Sequence, residues 1–232
     1  MKKSGFTLIE LSIVLIIVSL IISGVIVGSS LIEANRIRNL ISSFNNYQSA
    51  INVFRTKYDS LPGDMNNATQ FFTSSSLTIN NGNGDGKITW GDTGTQKENL
   101  YAWQHLALAG IIKGTYTGTS STPYFNLGVN IPEIRNLNAG FDFAYNNKNI
   151  LSIGSPNGAY TSATTAQLLN GPILTTNIAY GIDNKMDDGN PSTGNIITKF
   201  GNNITSGCIS SDGLSYIFSD NTVSCISWYL FY

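Results

Sequence analysis

Residues 6–32 read FTLIELSIVLIIVSLIISGVIVGSSLI, and this stretch decides how the rest of the chain is to be read. Eighteen of its 27 residues are apolar, and Glu10 is its only charge. About 20 apolar residues in helical geometry cover the roughly 30 Å hydrocarbon core of a bilayer, so residues 11–32 are enough to cross one even with some tilt. The run is too long for the apolar region of a secretory signal and no A-x-A site follows it, which argues against removal of the whole segment. Lys2 and Lys3 precede it and favour a cytoplasmic N-terminus with an exported remainder, although Arg36 and Arg38 on the far side weaken that asymmetry. A carboxylate near the start of such a segment is costly at bilayer depth, so Glu10 calls for a cationic partner or a place in the headgroup layer.

Beyond residue 32 the helical pattern continues with a different face. Apolar residues recur at Ile37, Leu40, Ile41, Phe44, Tyr47, Ile51, Phe54 and Tyr58, while Arg36, Arg38, Asn45, Asn46 and Arg55 lie mostly off that stripe. This half should pack on a globular head, leaving the first half free for lipid or for other helices. Leu61-Pro62-Gly63-Asp64 ends the helix. From residue 6 to residue 58 an unbroken helix would be roughly 80 Å long, with Gly24 and Gly28 as its weak points.

The string Lys2-Lys3-Ser4-Gly5, followed by Phe6-Thr7-Leu8-Ile9-Glu10-Leu11, resembles the class III signal of type IV prepilins and type II secretion pseudopilins. The resemblance implies cleavage by prepilin peptidase between Gly5 and Phe6, methylation of the new amino group of Phe6, and retention of the apolar helix as an anchor. It also implies that Glu10 pairs with the N-terminal ammonium of an adjacent subunit, a neutralisation that suits two charges leaving water together. The chain then divides into a leader at 1–5, a transmembrane and assembly half at 6–32, an amphipathic half at 33–61 and an exported pilin-like head at 62–232. The partners implied are other pilin or pseudopilin subunits, prepilin peptidase, an inner-membrane assembly platform and inner-membrane lipid.

The head opens with a short helix expected over residues 64–72, with Asp64 as its N-cap. Residues 81–92 then match the calcium-loop template, with Asn81, Asn83 and Asp85 at positions 1, 3 and 5, Gly86 at the sharp turn, the Lys87 carbonyl at position 7, Ile88 at the apolar position 8 and Asp92 at position 12. With two carboxylates, the expected calcium affinity lies in the weak range of extracellular modules, about 10⁻⁴ to 10⁻³ M. An Asn-Gly-rich turn that folds without metal is the other reading of the same residues, and the calcium loop is the preferred one. Thr95 and Glu98 read as a capping box opening a helix that carries Leu100, Trp103, Leu106 and Ala107, with Gly110 past its end; Glu98 reaching a metal is the less economical alternative to that capping role. His105, the one histidine, reads as a structural residue.

Beyond Gly110, short β-type runs are expected at residues 111–116, 141–146, 150–154, 196–200, 216–219 and 224–232, with a helix at 164–169. An antiparallel sheet packed on the amphipathic half of the long helix makes the fold class α+β. Asp183, Asp187 and Asp188 sit in a segment read as a solvated turn or as a second cation site. Cys208 and Cys225, the only cysteines, are expected to form a disulfide in an oxidising compartment, in keeping with the C-terminal bridge of many type IV pilins.

Composition narrows the function classes. With 13 Lys+Arg against 14 Asp+Glu the chain offers no basic surface, so a nucleic-acid partner is not indicated. G-x-S-x-G, H-E-x-x-H, P-loop and dinucleotide fingerprints are missing, which leaves no enzyme reading. The expected function is a structural subunit polymerised through its N-terminal helix into a type IV pilus or type II secretion pseudopilus, with its head in the periplasm or outside the cell. A different class, a membrane-anchored calcium-binding adhesin or substrate-binding module that does not polymerise, is the second reading.

Overall fold

A computed structural model describes residues 7–90, 97–120, 124–135, 137–156, 169–219 and 222–231. Its backbone is one helix, α1 (Leu8–Tyr58), 51 residues long and continuous through Gly24 and Gly28. At 1.5 Å per residue that is about 76 Å. Asp59 closes it in the left-handed conformation (φ 51°), its N–H donating to the Arg55 carbonyl oxygen. The stop lies just ahead of Pro62, as the sequence implied.

The second half of α1 packs on the head along the predicted stripe. Ile37, Leu40, Phe44, Ile51 and Phe54 are buried, and Ile41, Tyr47 and Tyr58 pack against the same core. Facing them is a five-stranded antiparallel sheet of β1 (Glu133–Ile134), β2 (Ala139–Asn146), β3 (Lys148–Gly154), β4 (Ile196–Phe200) and β5 (Cys225–Phe231), in the order β1-β2-β3-β5-β4. The β2–β3 hairpin turns at Asn147 (φ 61°), a conformation asparagine tolerates better than most residues. Phe141 and Phe143 project from β2 toward the helices, where Phe44 lies 5.3 Å from Phe141 and Trp103 lies 4.4 Å from Phe143 between ring centroids. Tyr47 bridges both groups at 4.9 Å from Trp103 and 4.9 Å from Phe141. These edge and tilted contacts, sealed from water, make the aromatic cluster the joint between rod and head.

Among the described residues the head has three further helices: α2 (Ala68–Phe71), α3 (Glu98–Leu108) and α4 (Thr176–Met186). The helix expected over 64–72 is thus only four residues, and Asp64 does not cap it. Asn67 is the N-cap, with no side-chain bond to the helix. No strand forms at 111–116, because Gly110 (φ 72°) and Gly114 (φ 109°) bend the chain immediately after α3. The run at 216–219 contributes only an isolated bridge between Tyr216 and Ile209. Residues 164–168 of the expected helix lie outside the described residues. The strands expected at 141–146, 150–154, 196–200 and 224–232 correspond to β2, β3, β4 and β5.

α4 was read as a turn over its last residues. Its N-cap is Thr175, whose side chain accepts from the Ile178 N–H, and Ile178, Ala179 and Ile182 are buried against α1 and the sheet. Gly181 allows the close crossing, since a Cβ there would lie 2.5 Å from Ile37 Cδ1.

Candidate functional site

The loop between α2 and α3 is a clasp closed by buried carboxylates. Asp64 Oδ1 accepts from the N–H groups of Gly84 (2.7 Å) and Asp85 (3.0 Å), and Oδ2 accepts from Gly86 (2.9 Å). Glu98 Oε1 accepts from Asn83 N–H at 2.9 Å, while Oε2 accepts from the N–H and the hydroxyl of Thr89 at 3.0 and 2.7 Å. Glu98 is therefore spent on the loop rather than on a capping box. Lys97 is the N-cap of α3 and makes no side-chain bond to it, and Thr95 lies outside the described residues. Asn149 on β3 pins the far side, accepting from Ile88 N–H at 2.8 Å and donating to the Gly86 carbonyl at 3.0 Å. Gly82 lets the two strands of the clasp touch: a Cβ there would come within 2.3 Å of the Gly63 carbonyl oxygen.

Of the predicted calcium ligands, Asp85 joins Asp64 and Glu98, one carboxylate oxygen from each lying within 4.8 Å of the other two. Asn81 Oδ1 accepts instead from Thr69 N–H at 2.9 Å, Asn83 Oδ1 from Asp85 N–H at 2.9 Å, and Asp85 Oδ1 from Lys87 N–H at 3.0 Å. Lys87 Nζ stands 3.8 Å from Asp85 Oδ2. Asp92 lies outside the described residues. Burial pushes the Asp64 and Glu98 carboxyls up, and the neighbouring carboxylates add to the effect. A hard divalent cation, which takes oxygen ligands, would relieve that crowding. Asp64 was expected as a helix N-cap, since nothing in local spacing ties residue 64 to residues 81–92, and Glu98, for which a cap was preferred over a metal contact, joins the cluster.

His105 locks the clasp from below. Its Nδ1 accepts from Gly63 N–H at 3.0 Å, so Nε2 carries the proton and donates to the Asn80 carbonyl at 2.9 Å. Burial holds the imidazole down to about 4, so it is neutral at physiological pH. With both nitrogens engaged and no exposed surface, the chain's single histidine has no access to a substrate.

Asp183, Asp187 and Asp188 cluster at the end of α4 and in the following turn. Each is held by protein donors. Tyr216 donates to Asp183 Oδ2 (2.6 Å) and Gly189 N–H to Asp183 Oδ1 (3.2 Å). Asp187 accepts from Asn195 and Ile196 N–H, and Asp188 from Asn190 N–H and the Thr193 hydroxyl. Burial pushes Asp183 up to about 6 from an ordinary 3.8. The folded state then binds this proton more tightly than the unfolded chain does. The stability it contributes is full below pH 3.8 and is lost as pH rises through about 6. Asp183→Asn, which can accept from Gly189 and donate to Tyr216, is expected to remove this segment of the melting temperature against pH curve, measured by calorimetry between pH 4 and pH 6.

Cys208 and Cys225 form the expected disulfide, tying the chain at residue 208 to the start of β5. Both are fully buried, beside the α4 segment.

Away from the head, the apolar first half of α1 is uncovered along its described residues. The apolar side chains of Leu8, Leu11, Leu15, Leu20, Leu31 and Ile32 are all more than half exposed. Its polar side chains are satisfied within the helix, Ser12, Ser19, Ser23 and Ser30 each donating to a carbonyl three or four residues back. Such internal satisfaction is what an apolar environment demands. Thr7 is the N-cap and forms a capping box with Glu10: the Thr7 N–H and hydroxyl both donate to Glu10 Oε2 at 2.8 Å, and Glu10 N–H donates to the Thr7 hydroxyl oxygen. The T-x-x-E spacing that produces this box stands in the sequence at residues 7–10. Gly5 and Phe6, the expected processing pair, lie outside the described residues.

Residues 1–26 match the family described as the prokaryotic N-terminal methylation motif. The chain carries a prepilin-type signal. That signal supports a pilin-like precursor of the kind processed by prepilin peptidase, and the long apolar helix fits membrane anchorage. Proteins that carry this signal are structural pilin-type proteins. No curated protein and no solved structure matches the chain, so beyond this signal the head is read from its own geometry.

Proposed function

We propose that this protein is a pilin or pseudopilin subunit: cleaved after Gly5, methylated at Phe6, held in the inner membrane by residues 6–32, and assembled into a filament through that same helix with the head at 62–232 on the outside. The observation that carries the reading is the joining of a prepilin-type signal to a rod whose first half is apolar and uncovered while its second half is buried in the head. Lipid and a bundle of like helices are the two environments that suit such a surface. Glu10, the only charge along residues 7–32, serves as the register mark by pairing with a neighbour's Phe6 ammonium. The reading is tested by shearing filaments from cells that make the full chain. The sheared fraction should contain this protein beginning at Phe6, whereas a chain confined to the membrane fraction is the non-polymerising adhesin or binding module.

We further infer that the head takes up calcium at the clasp, through Asp64, Asp85 and Glu98 rather than through the full set of residues 81–92. The support is the convergence of three carboxylates, two of them buried and pushed toward protonation, on a loop already folded around them. Binding of one cation stabilises the folded state by RT ln(1 + [Ca²⁺]/Kd), about 2.7 kcal/mol at a hundredfold excess over Kd. Calcium titration is expected to raise the melting temperature of the wild-type protein and to leave Glu98→Gln unresponsive. A flat titration of the wild type removes the calcium reading and leaves the subunit reading standing.

A further inference from the structure

The clasp holds two Asn-Gly pairs in succession, Asn81-Gly82 and Asn83-Gly84. In such a pair the glycine nitrogen can attack the asparagine Cγ and close a five-membered imide, and glycine, lacking Cβ, hinders that closure least. The reaction is helped by a base on the glycine N–H and by a donor on the side-chain carbonyl oxygen, where negative charge develops. Both are in place at the second pair. Gly84 N–H donates to Asp64 Oδ1 at 2.7 Å, within the reach required of a general base, and also lies 2.9 Å from the Asp64 carbonyl oxygen. Asn83 Oδ1 accepts from Asp85 N–H at 2.9 Å, and Glu98 Oε1 fixes the Asn83 N–H at 2.9 Å. Asn83 and Gly84 are exposed, so water reaches the product of ring closure. The first pair differs where it matters. Asn81 Oδ1 likewise accepts an N–H, that of Thr69 at 2.9 Å, but Gly82 N–H donates to the Met65 carbonyl at 2.8 Å, a neutral acceptor that takes up no proton, and Gly82 is buried.

We propose that Asn83 is a site of self-catalysed deamidation, in which Asp64 serves as the base for the Gly84 nitrogen. As the Gly84 nitrogen bonds to Asn83 Cγ, its proton passes to Asp64 Oδ1 and the Asp85 N–H holds the oxyanion. The tetrahedral centre then breaks its bond to Nδ2, which takes the proton back from Asp64 and leaves as ammonia. Water opens the imide at either carbonyl, giving aspartate or isoaspartate at position 83. One water enters and one ammonia departs, with no change of oxidation state. The product adds a negative charge to a clasp that already gathers Asp64, Asp85 and Glu98, and because ammonia is lost the charge accumulates with the age of the protein. The inference concerns the covalent chemistry of the clasp and needs neither the calcium reading nor the subunit reading.

The test incubates the full chain in detergent with a chelator, so that no cation competes for Asp64, in water enriched in oxygen-18. Mass spectrometry of the peptide carrying both pairs then gives the rate at each asparagine from one sample. Conversion at position 83, with one oxygen-18 taken up, is expected to run about a hundredfold faster than at position 81, the lower end of what a positioned base contributes. In denaturant, with the disulfide intact, the two rates should converge, because the sequence chemistry of the pairs is the same. Asp64→Asn keeps an acceptor oxygen but no base, and should abolish the excess at position 83 while its melting temperature and hydrogen exchange report a folded loop. Where that loop loses protection, the comparison of folded with denatured wild type decides alone. No conversion at position 83 in the folded wild type, equal conversion at position 81, or a folded Asp64→Asn that keeps the excess overturns the proposal.

Discussion

Glu10→Ala is expected to leave cleavage after Gly5 unchanged and to lower the yield of sheared filaments by about a hundredfold or more. The argument begins with the charge inventory of the rod. Over residues 7–32 Glu10 is the only ionisable side chain, and in the isolated protein it is closed on its own helix terminus through Thr7. That capping box is an adequate resting state at the membrane surface. Once helices gather in a filament core, a carboxylate deprived of water needs a full counter-charge, and the processed N-terminus of a neighbour supplies one. Removing one member of a buried pair strands the other at a cost of about 3–5 kcal/mol, and each 1.4 kcal/mol is a factor of ten. Glu10→Gln separates the two roles. The amide oxygen can still accept from Thr7, so helix initiation persists, but the charge is gone. If the glutamine variant assembles as well as the wild type, the ion pair is not what sets the register.

Cys208→Ala combined with Cys225→Ala is expected to lower stability by about 3 kcal/mol, read as a melting temperature some 6–12 °C lower for a head of this size. The bridge spans 17 residues that, among the described residues, contain no α-helix and no strand of the sheet before β5, so the cross-link restrains a segment with little regular structure to order it. Within the segment Ile209 and Tyr216 are buried, and Tyr216 is bonded to Asp183 and Thr198. Hydrogen exchange should therefore rise first between residues 208 and 225 and leave the aromatic joint of Phe44, Tyr47, Trp103 and Phe141 protected. An equal loss of protection throughout the head would mean that the bridge holds the whole sheet and not the segment it closes.

The long helix was legible because its signal is redundant: twenty-seven residues with one charge, then a three-to-four residue stripe that the core reproduces residue by residue from Ile37 to Tyr58. Strands β2 to β5 were legible for the same reason, as short apolar runs bounded by Asn and Gly. Helix α4 was not, since Thr176, Asn177, Gly181 and Asn184 are poor helix formers, and what stabilises it is the packing of Ile178 and Ile182 with the close approach of Gly181 to Ile37. The run at 111–116 misled because its apolar residues suggested a strand while the glycines at 110 and 114 impose turns. In the clasp, the loop itself was visible and its anchors were not. Asp64, the pair Glu98 and His105 on α3, and Asn149 on β3 reach residues 80–89 from three different segments, and only the folded chain brings them together.

The account turns on one contact, that between the N-terminus of one subunit and Glu10 of the next. A density map of the assembled filament, obtained by electron cryomicroscopy at side-chain resolution, measures it directly. The expected result is a chain beginning at Phe6, with its amino nitrogen within about 4 Å of a neighbour's Glu10 carboxylate and residues 7–32 packed helix against helix. A filament in which Glu10 remains closed on its own Thr7, or in which these helices do not meet, would contradict it.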